Sequence, residues 1–94
     1  MSKDNIIFIG NKPFMNYVTS VVMQFTTKNE DEVIISARGK FIWRAVDVSQ
    51  VAIHRFLKDQ IEIKEVKLNS EDFKNKDDKD VRVSTIDIIM IRKK

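Results

Sequence analysis

Two strand–turn–helix units, each with a glycine at its turn, constrain the fold of this chain more than any other feature. Residues 6–9 are apolar and lead into Gly10, and residues 33–37 lead into Gly39 in the same way. A helical pattern follows each turn, and Pro13 suits the first turn of the first helix because it has no N–H to leave unpaired. A helix between two short buried strands predicts a βαβ unit with parallel strands and a right-handed crossover.

Both helices are predicted from apolar stripes with a period near 3.6 residues. The first helix begins at Phe14 and places Gln24 on its polar side. The second spans roughly residues 41–57, and its apolar stripe includes Val46 and Phe56. The first helix is rich in β-branched residues, so packing rather than intrinsic propensity must hold it.

Positive side chains lie at both glycine turns. Lys12 follows the first glycine, and Arg38 and Lys40 flank the second. The carboxyl ends of parallel strands lie at the same edge of a sheet, so these cations should lie close together. They would also lie beside the free N–H groups at the starts of the two helices. Cations and free N–H groups in this arrangement bind anions. The sequence therefore predicts a phosphate-binding edge. From spacing alone, ordinary solvated charges are an equally good interpretation.

Residues near these turns extend the candidate site. Arg44, one turn into the second helix, adds a cation. Asn16 and Tyr17 can hydrogen-bond phosphates, although a packed tyrosine is an equal alternative. Phe41 and Trp43 are unusual because they lie beside the basic turn, near the polar side of the helix. They either stack on unpaired bases or are partly buried at a subunit contact, and the sequence leaves both interpretations open.

The C-terminal third is predicted to form an antiparallel hairpin. Residues 61–68 and 81–90 alternate apolar and polar side chains, and each segment contains a phase slip. A register that pairs Ile61 with Ile88 and Leu68 with Val81 aligns the two slips, so both strands would change apolar face at the same level. The inner half then packs on the helices. The outer half needs another partner, for which a second copy of the chain is the simplest candidate.

The predicted hairpin tip, residues 69–80, is polar apart from Phe73 and contains more carboxylates than lysines. The whole chain nevertheless has a formal net charge of +3. The rest of the molecule is therefore more basic than the overall charge indicates, which favours a polyanionic partner.

Composition and motifs exclude several classes of protein. The 94 residues fit one domain, 1–94, and the absence of cysteine excludes disulfides and thiolate metal sites. The apolar runs are too short for a bilayer and no signal-peptide core is present, so we expect a cytoplasmic protein without a membrane partner. The chain has no nucleophile–base pair, no metal-ligand spacing around its lone His54, and no phosphate loop. We predict that it is not an enzyme and that it uses no cofactor, metal or small-molecule substrate.

A series of short motifs covers nearly the whole chain. They are Ile9-Gly10-Asn11-Lys12-Pro13 with Met15-Asn16-Tyr17, Ala37-Arg38-Gly39-Lys40, Ala45-Val46-Asp47, Arg55-Phe56-Leu57, Ile61-Glu62-Ile63-Lys64-Glu65 and Arg82-Val83-Ser84-Thr85-Ile86. In this order they resemble the Alba family of small archaeal chromatin proteins. The resemblance implies an α+β single domain of order βαβαββ, with a mixed four-stranded sheet, two helices and an extended hairpin formed by its last two strands. That fold is similar to the C-terminal domain of bacterial translation initiation factor three.

The resemblance also implies a function. Such a protein is architectural: its homodimer coats and compacts double-stranded DNA, also binds RNA, shows little sequence preference and associates with the chromosome. Two alternatives stay open. The chain could be mainly an RNA-binding component of a ribonucleoprotein, or a protein-interaction module that binds no nucleic acid.

Residue roles at the two turns follow from the same resemblance. Lys12 matches the second of two adjacent lysines that face the nucleic acid, and Asn11 stands where the first, an acetylation site in some members, would be. Regulation by acetylation of that position is therefore not available here. Arg38, Lys40 and Arg44 match further basic positions of the family.

Two more matches lie outside the turns. Phe56 matches an aromatic residue that joins dimers side by side along DNA. Arg82 matches a basic residue of the hairpin arm, which in the family reaches toward the minor groove, although the acidic tip of this chain argues against deep insertion. The complete predicted nucleic-acid-binding set is Lys12, Arg38, Lys40, Arg44, Asn11, Asn16, Tyr17 and Arg82.

Overall fold

A computed structural model describes residues 5–94 and shows a four-stranded mixed sheet that packs on two helices. The elements in chain order are β1 Ile6–Phe8, α1 Phe14–Thr26, β2 Glu32–Arg38, α2 Ile42–Val51, β3 Ile61–Lys74 and β4 Asp80–Arg92. The strand order across the sheet is β1-β2-β4-β3. The predicted βαβαββ order and the long terminal hairpin are confirmed. Within the described residues, no helix has the length and apolar character needed to cross a membrane.

The first two strands form the predicted parallel pair. Ile6 lies opposite Ile34 and Phe8 opposite Ser36, whereas β4 runs antiparallel to both of its neighbours, β2 and β3. Because β1 and β2 point the same way, the turns that follow them emerge at the same edge of the sheet.

The core is one apolar layer between the sheet and the helices. Alternate residues of β2 and β4 face the helices, and they meet one side of α1. Those almost inaccessible side chains are Val33, Ile35, Ile88 and Met90 from the strands and Val18, Val21 and Phe25 from α1. Full burial of an aliphatic or aromatic side chain of this size is worth about 1.5–3 kcal/mol, so this layer fixes where the glycine turns lie.

A wide turn at the end of the second helix alters its apolar stripe. Residues Ala52–Phe56 form a π-helical turn, in which the Leu57 N–H donates to the Ala52 carbonyl oxygen at 2.9 Å. The extra residue turns Phe56 toward solvent, where it is 49% exposed, and buries Leu57. Within α2, Val48 is buried and Val46 is 40% exposed, so the predicted stripe was wrong at Val46.

Two details of the first helix also differ from the prediction. Pro13 precedes the helix as its N-cap, with ψ of 141°, instead of lying in the first turn. Gln24 is buried, although it was predicted on the polar side, because positions 17, 21 and 24 follow one another on the same face of α1.

The predicted hairpin register was wrong. Leu68 lies opposite Ile86 and Ile61 opposite Arg92, instead of Val81 and Ile88. The prediction interpreted the phase slip of β3 as a change of apolar face, whereas the structure has a β-bulge at Lys64, where the register shifts between residues 63 and 65. The bulge absorbs the phase slip of β3, so Ile63, Val66 and Leu68 all stay on the helix side of the sheet, whereas Phe73 lies on the other face.

The predicted tip is also mostly strand. Both strands continue to the pair Lys74–Asp80, and residues 75–79 alone form the turn. The Asn75 side-chain oxygen accepts hydrogen bonds from the Asp77 and Lys79 N–H groups at 2.9 and 3.1 Å. Asp78 has a φ of 61°, which Asp tolerates better than most residues. The hairpin is therefore a long, ordered arm.

Candidate nucleic-acid interface

The two glycine turns lie against each other at one rim of the molecule. Arg44, on the second helix, donates a hydrogen bond from Nη1 to the Gly10 carbonyl oxygen at 2.5 Å. Its guanidinium carbon also lies 5.6 Å from the centre of the Tyr17 ring. A cleft of about 390 Å³ runs between the turns, lined by Asn11, Lys40, Phe41, Trp43 and Arg44. We call Asn11, Lys12, Lys40 and Arg44 the corner surface; Phe41 and Trp43 line the cleft beside it.

The side chain of Tyr17 stabilises the first glycine turn through hydrogen bonds. Its side chain is buried, and its hydroxyl oxygen accepts hydrogen bonds from the N–H groups of Gly10 and Lys12, each at 2.9 Å. Of the two interpretations of this residue, the structure supports the packed tyrosine. Its effect on any ligand is therefore exerted through the turn that it fixes.

The second turn requires its glycine. Gly39 has a φ of +52°, and a Cβ at this position would lie 3.0 Å from Cγ2 of Val83. Both the left-handed backbone and the close approach of β4 therefore disfavour any side chain here. The glycine thus allows the chain to turn sharply from Arg38 into Lys40 beside the sheet.

Lys12 and Lys40 are exposed cations at the rim. Within residues 5–94, neither forms a salt bridge, and Lys40 Nζ lies 5.3 Å from the centre of the Phe41 ring. Asn11 and Asn16 are exposed beside Lys12. The α1 helix that starts here has no acidic residue in its first turn and no side-chain cap, so its positive end faces outward uncompensated. The rim is therefore suited to an anionic ligand.

Two of the predicted cations instead form ion pairs with carboxylates of β3. Arg38 lies 2.9 Å from a carboxylate oxygen of Glu71 and 5.8 Å from the centre of the Phe73 ring. Arg82 donates to both carboxylate oxygens of Asp72, at 2.8 and 3.4 Å. The hydrogen bond to Asp72 raises the pKa of Arg82 above its already high ordinary value. Of the five predicted cations, Lys12, Lys40 and Arg44 form no salt bridge among the described residues.

Phe56 belongs to a different part of the molecule. It borders a small cavity of about 170 Å³ together with Val18, Thr19 and Val22 of α1. None of these residues lines the corner surface. The structure therefore separates the predicted dimer–dimer residue from the predicted nucleic-acid-binding residues.

Sequence reasoning missed Phe8. Residues 6–9 were interpreted as buried, but β1 is an edge strand and Phe8 points to the face without helices, where it is 72% exposed. It borders an open cleft with Lys12, Asn16 and Tyr17. Alternation along an edge strand is the signal that could have identified it.

No cluster that could hold a metal ion occurs among the described residues. The rim offers cations, amides and aromatic rings. Such groups bind phosphates and bases without changing them chemically.

The match to known proteins covers most of the chain. Residues 5–70 match the family model described as Alba. The chain belongs to the Alba family. It is 46% identical over 89 residues to the DNA/RNA-binding protein Alba of Methanococcus maripaludis, a match that spans 95% of this chain and 99% of that protein. Family membership confirms the predicted resemblance and agrees with the prediction of a non-enzymatic protein.

Solved structures show the same architecture. Alba from Thermoplasma volcanium is 42% identical and superposes with a TM-score of 0.84, which covers 93% of this chain and 99% of that one. ALBA1 from Trypanosoma brucei is 18% identical and superposes with a TM-score of 0.74, over 98% of this chain and 72% of that one. The second comparison shows that the Alba fold persists when most side chains differ.

Proposed function

We propose that this Alba-family chain is an architectural nucleic-acid-binding protein whose homodimer coats and compacts double-stranded DNA and also binds RNA. The observation that carries the proposal is the hydrogen bond from Arg44 to Gly10, which joins two basic turns into one rim. That rim leaves Lys12 and Lys40 exposed. The name of the Methanococcus maripaludis relative, a DNA/RNA-binding protein, supports the same function.

The chemistry of the rim favours phosphates over base edges. Lysine is a compact charge on a flexible stem, and such contacts set affinity and position without reading sequence. No carboxylate belongs to the corner surface. The start of α1, which has no side-chain cap, adds the positive end of a helix dipole. Binding should therefore be strong on any duplex and should depend steeply on salt.

An exposed apolar row on β3 supports the homodimer. Ile63, Val66 and Leu68 lie on the helix side of the sheet and are 38%, 48% and 71% exposed. They continue the core layer beyond the area that the helices cover. A second copy related by a two-fold axis would bury this row and double the number of corner-surface cations. Phe56 and its cavity on α1 offer a separate contact for assembly of dimers along DNA.

The salt dependence of duplex binding tests the proposal. If Lys12, Lys40 and Arg44 of both subunits contact phosphates, log affinity should fall with log salt concentration with a slope of about −5. If Arg38 also leaves Glu71 for a phosphate, the slope should be about −7. Fluorescence anisotropy of labelled duplexes with unrelated sequences measures both the slope and the sequence independence. A slope near zero would exclude phosphate binding by this surface.

The same titration on structured RNA addresses the alternative function. At matched salt, a chromatin protein should hold duplex DNA at least as tightly as structured RNA. A strong excess of RNA affinity in direct competition would instead favour a ribonucleoprotein component. Failure to bind either polymer at low salt would favour a protein-interaction module.

Neutralising Glu71 should strengthen binding. In the free protein the Glu71 carboxylate holds Arg38, so a phosphate must displace it before Arg38 can contribute. Because both side chains are more than half exposed, the ion pair is weak. Glu71→Gln should therefore raise duplex affinity by only about two- to fivefold.

A matched variant separates this release from the general change in charge. Glu62 lies on the same strand and the same face but toward the other end of the sheet, opposite Ile91. Glu62→Gln changes the net charge equally and should have the smaller effect in the same anisotropy assay. Equal gains from both variants would show that the Arg38–Glu71 pair does not control binding.

A further inference from the structure

Trp43 is an exposed aromatic residue in a basic setting. It lies in the first turn of α2 and is 63% exposed. Tryptophan is a large apolar side chain that is usually well buried on average, so this exposure calls for a partner. Trp43 lines the cleft of the corner surface together with Asn11, Lys40 and Arg44.

We propose that this cleft binds an unpaired nucleobase of a single-stranded nucleic acid. Trp43 provides the flat surface on which the base stacks, and Lys40 and Arg44 hold the phosphates on either side of it. The inference rests on the proposed function, because it assigns these two cations to a polynucleotide. It deepens that function by adding a class of ligand, unpaired bases, that phosphate contacts alone do not select.

The groups around Trp43 suit a nucleotide more than a protein side chain. The cleft contains cations and an amide but no carboxylate. Arg44 is held in place by the Gly10 carbonyl oxygen and the Tyr17 ring, so little freedom is lost when a phosphate binds it. Asn11, which lines the same cleft, supplies both a hydrogen-bond donor and an acceptor, which can meet the edge of a base.

Duplex DNA cannot use this stacking surface. Its bases are paired and stacked on one another, so a duplex offers its phosphates and groove edges to the rim. A single strand of RNA or DNA presents base faces, and an aromatic side chain stacks on them with little regard to sequence. Loss of Trp43 should therefore weaken single-strand binding selectively, whereas loss of a lysine should weaken binding to both kinds of polymer.

Trp43 is the only tryptophan of the chain, so its fluorescence reports on this cleft directly. Oligouridylate and oligothymidylate should quench it, whereas a duplex at a concentration that saturates binding should leave it nearly unchanged. Trp43→Ala should lower the affinity for both labelled single strands by roughly 5- to 150-fold and leave duplex affinity within about twofold. Trp43→Phe should restore part of the loss because it retains an aromatic face.

A neighbouring variant and a mass measurement complete the test. Val46 is also exposed on α2, and Val46→Ala should change neither affinity. Equal losses on single strands and duplex, an unchanged affinity for single strands, or unquenched fluorescence at saturation would each overturn the stacking site. A change of mass in Trp43→Ala by light scattering would assign Trp43 to a subunit contact instead. If the unaltered protein bound neither polymer, the proposed function would fail and this site with it, whereas duplex binding without stacking would overturn this site alone.

Discussion

A chain that carries Lys12→Glu and Lys40→Glu should bind duplex DNA roughly 100-fold more weakly than the unaltered protein at the same salt concentration. Both lysines are exposed at the rim and neither forms a salt bridge within the described residues. Each substitution replaces attraction to a phosphate by repulsion, and in a dimer each occurs twice. The slope of log affinity against log salt should become shallower by about 3 to 4, because four contacts are lost.

The matched control places the same charge change elsewhere. Lys28 follows the far end of α1 and Lys93 follows β4, and both are exposed. The double variant Lys28→Glu, Lys93→Glu changes the net charge by the same amount. It should lower duplex affinity by less than about tenfold and should keep most of the slope of log affinity against log salt. Equal losses from the two double variants would show that overall charge, and not the rim, determines binding. Circular dichroism should be the same for all three proteins.

Leu68→Asp should convert the proposed dimer into monomers. Leu68 is 71% exposed on the free chain, so a carboxylate there costs the isolated subunit little. In a two-fold interface the side chain is buried twice, and loss of each apolar contact costs about 1.5–3 kcal/mol before the burial of charge is considered. The dimer should therefore weaken by roughly 100-fold or more. Light scattering should then give the 11.0 kDa of one chain instead of twice that mass.

The same variant should lose duplex affinity without any change at the corner surface. A dimer presents two linked sets of cations to one duplex, and the gain from such linkage is typically 10²- to 10⁴-fold. Asn69→Asp is the control, since Asn69 is the next residue, faces the other side of the sheet and gives the same change in charge. If both variants stayed dimeric, or if the unaltered chain were monomeric at micromolar concentration, the β3 interface would be refuted.

The sequence predicted the parallel half of the fold because its signals are local. Short apolar strands, glycine turns and a helical stripe each occupy a few consecutive residues, and the right-handed crossover leaves one way to join them. The topology predicted that the two glycine turns lie close together. In the structure, the hydrogen bond from Arg44 to the Gly10 carbonyl oxygen joins the second helix to the first turn.

The antiparallel half depends on contacts that no local pattern specifies. A bulge at Lys64 shifts the alternation of β3, so the phase slip in the sequence does not mark the change of apolar face on which the predicted register depended. The register in turn brings Glu71 beside Arg38, so a cation predicted to be free is paired. The π-helical turn before Leu57 likewise exposes Phe56 by inserting a residue that periodicity cannot reveal.

The buried hydroxyl of Tyr17 has a consequence for how a complex forms. It fixes the N–H groups of Gly10 and Lys12 in the free protein. The conformational entropy of this loop is therefore lost when the chain folds and not when a nucleic acid binds. Encounter should therefore proceed without a slow rearrangement of the backbone, at a rate governed by long-range attraction. The favourable entropy of association should come mainly from the small ions that leave the polymer.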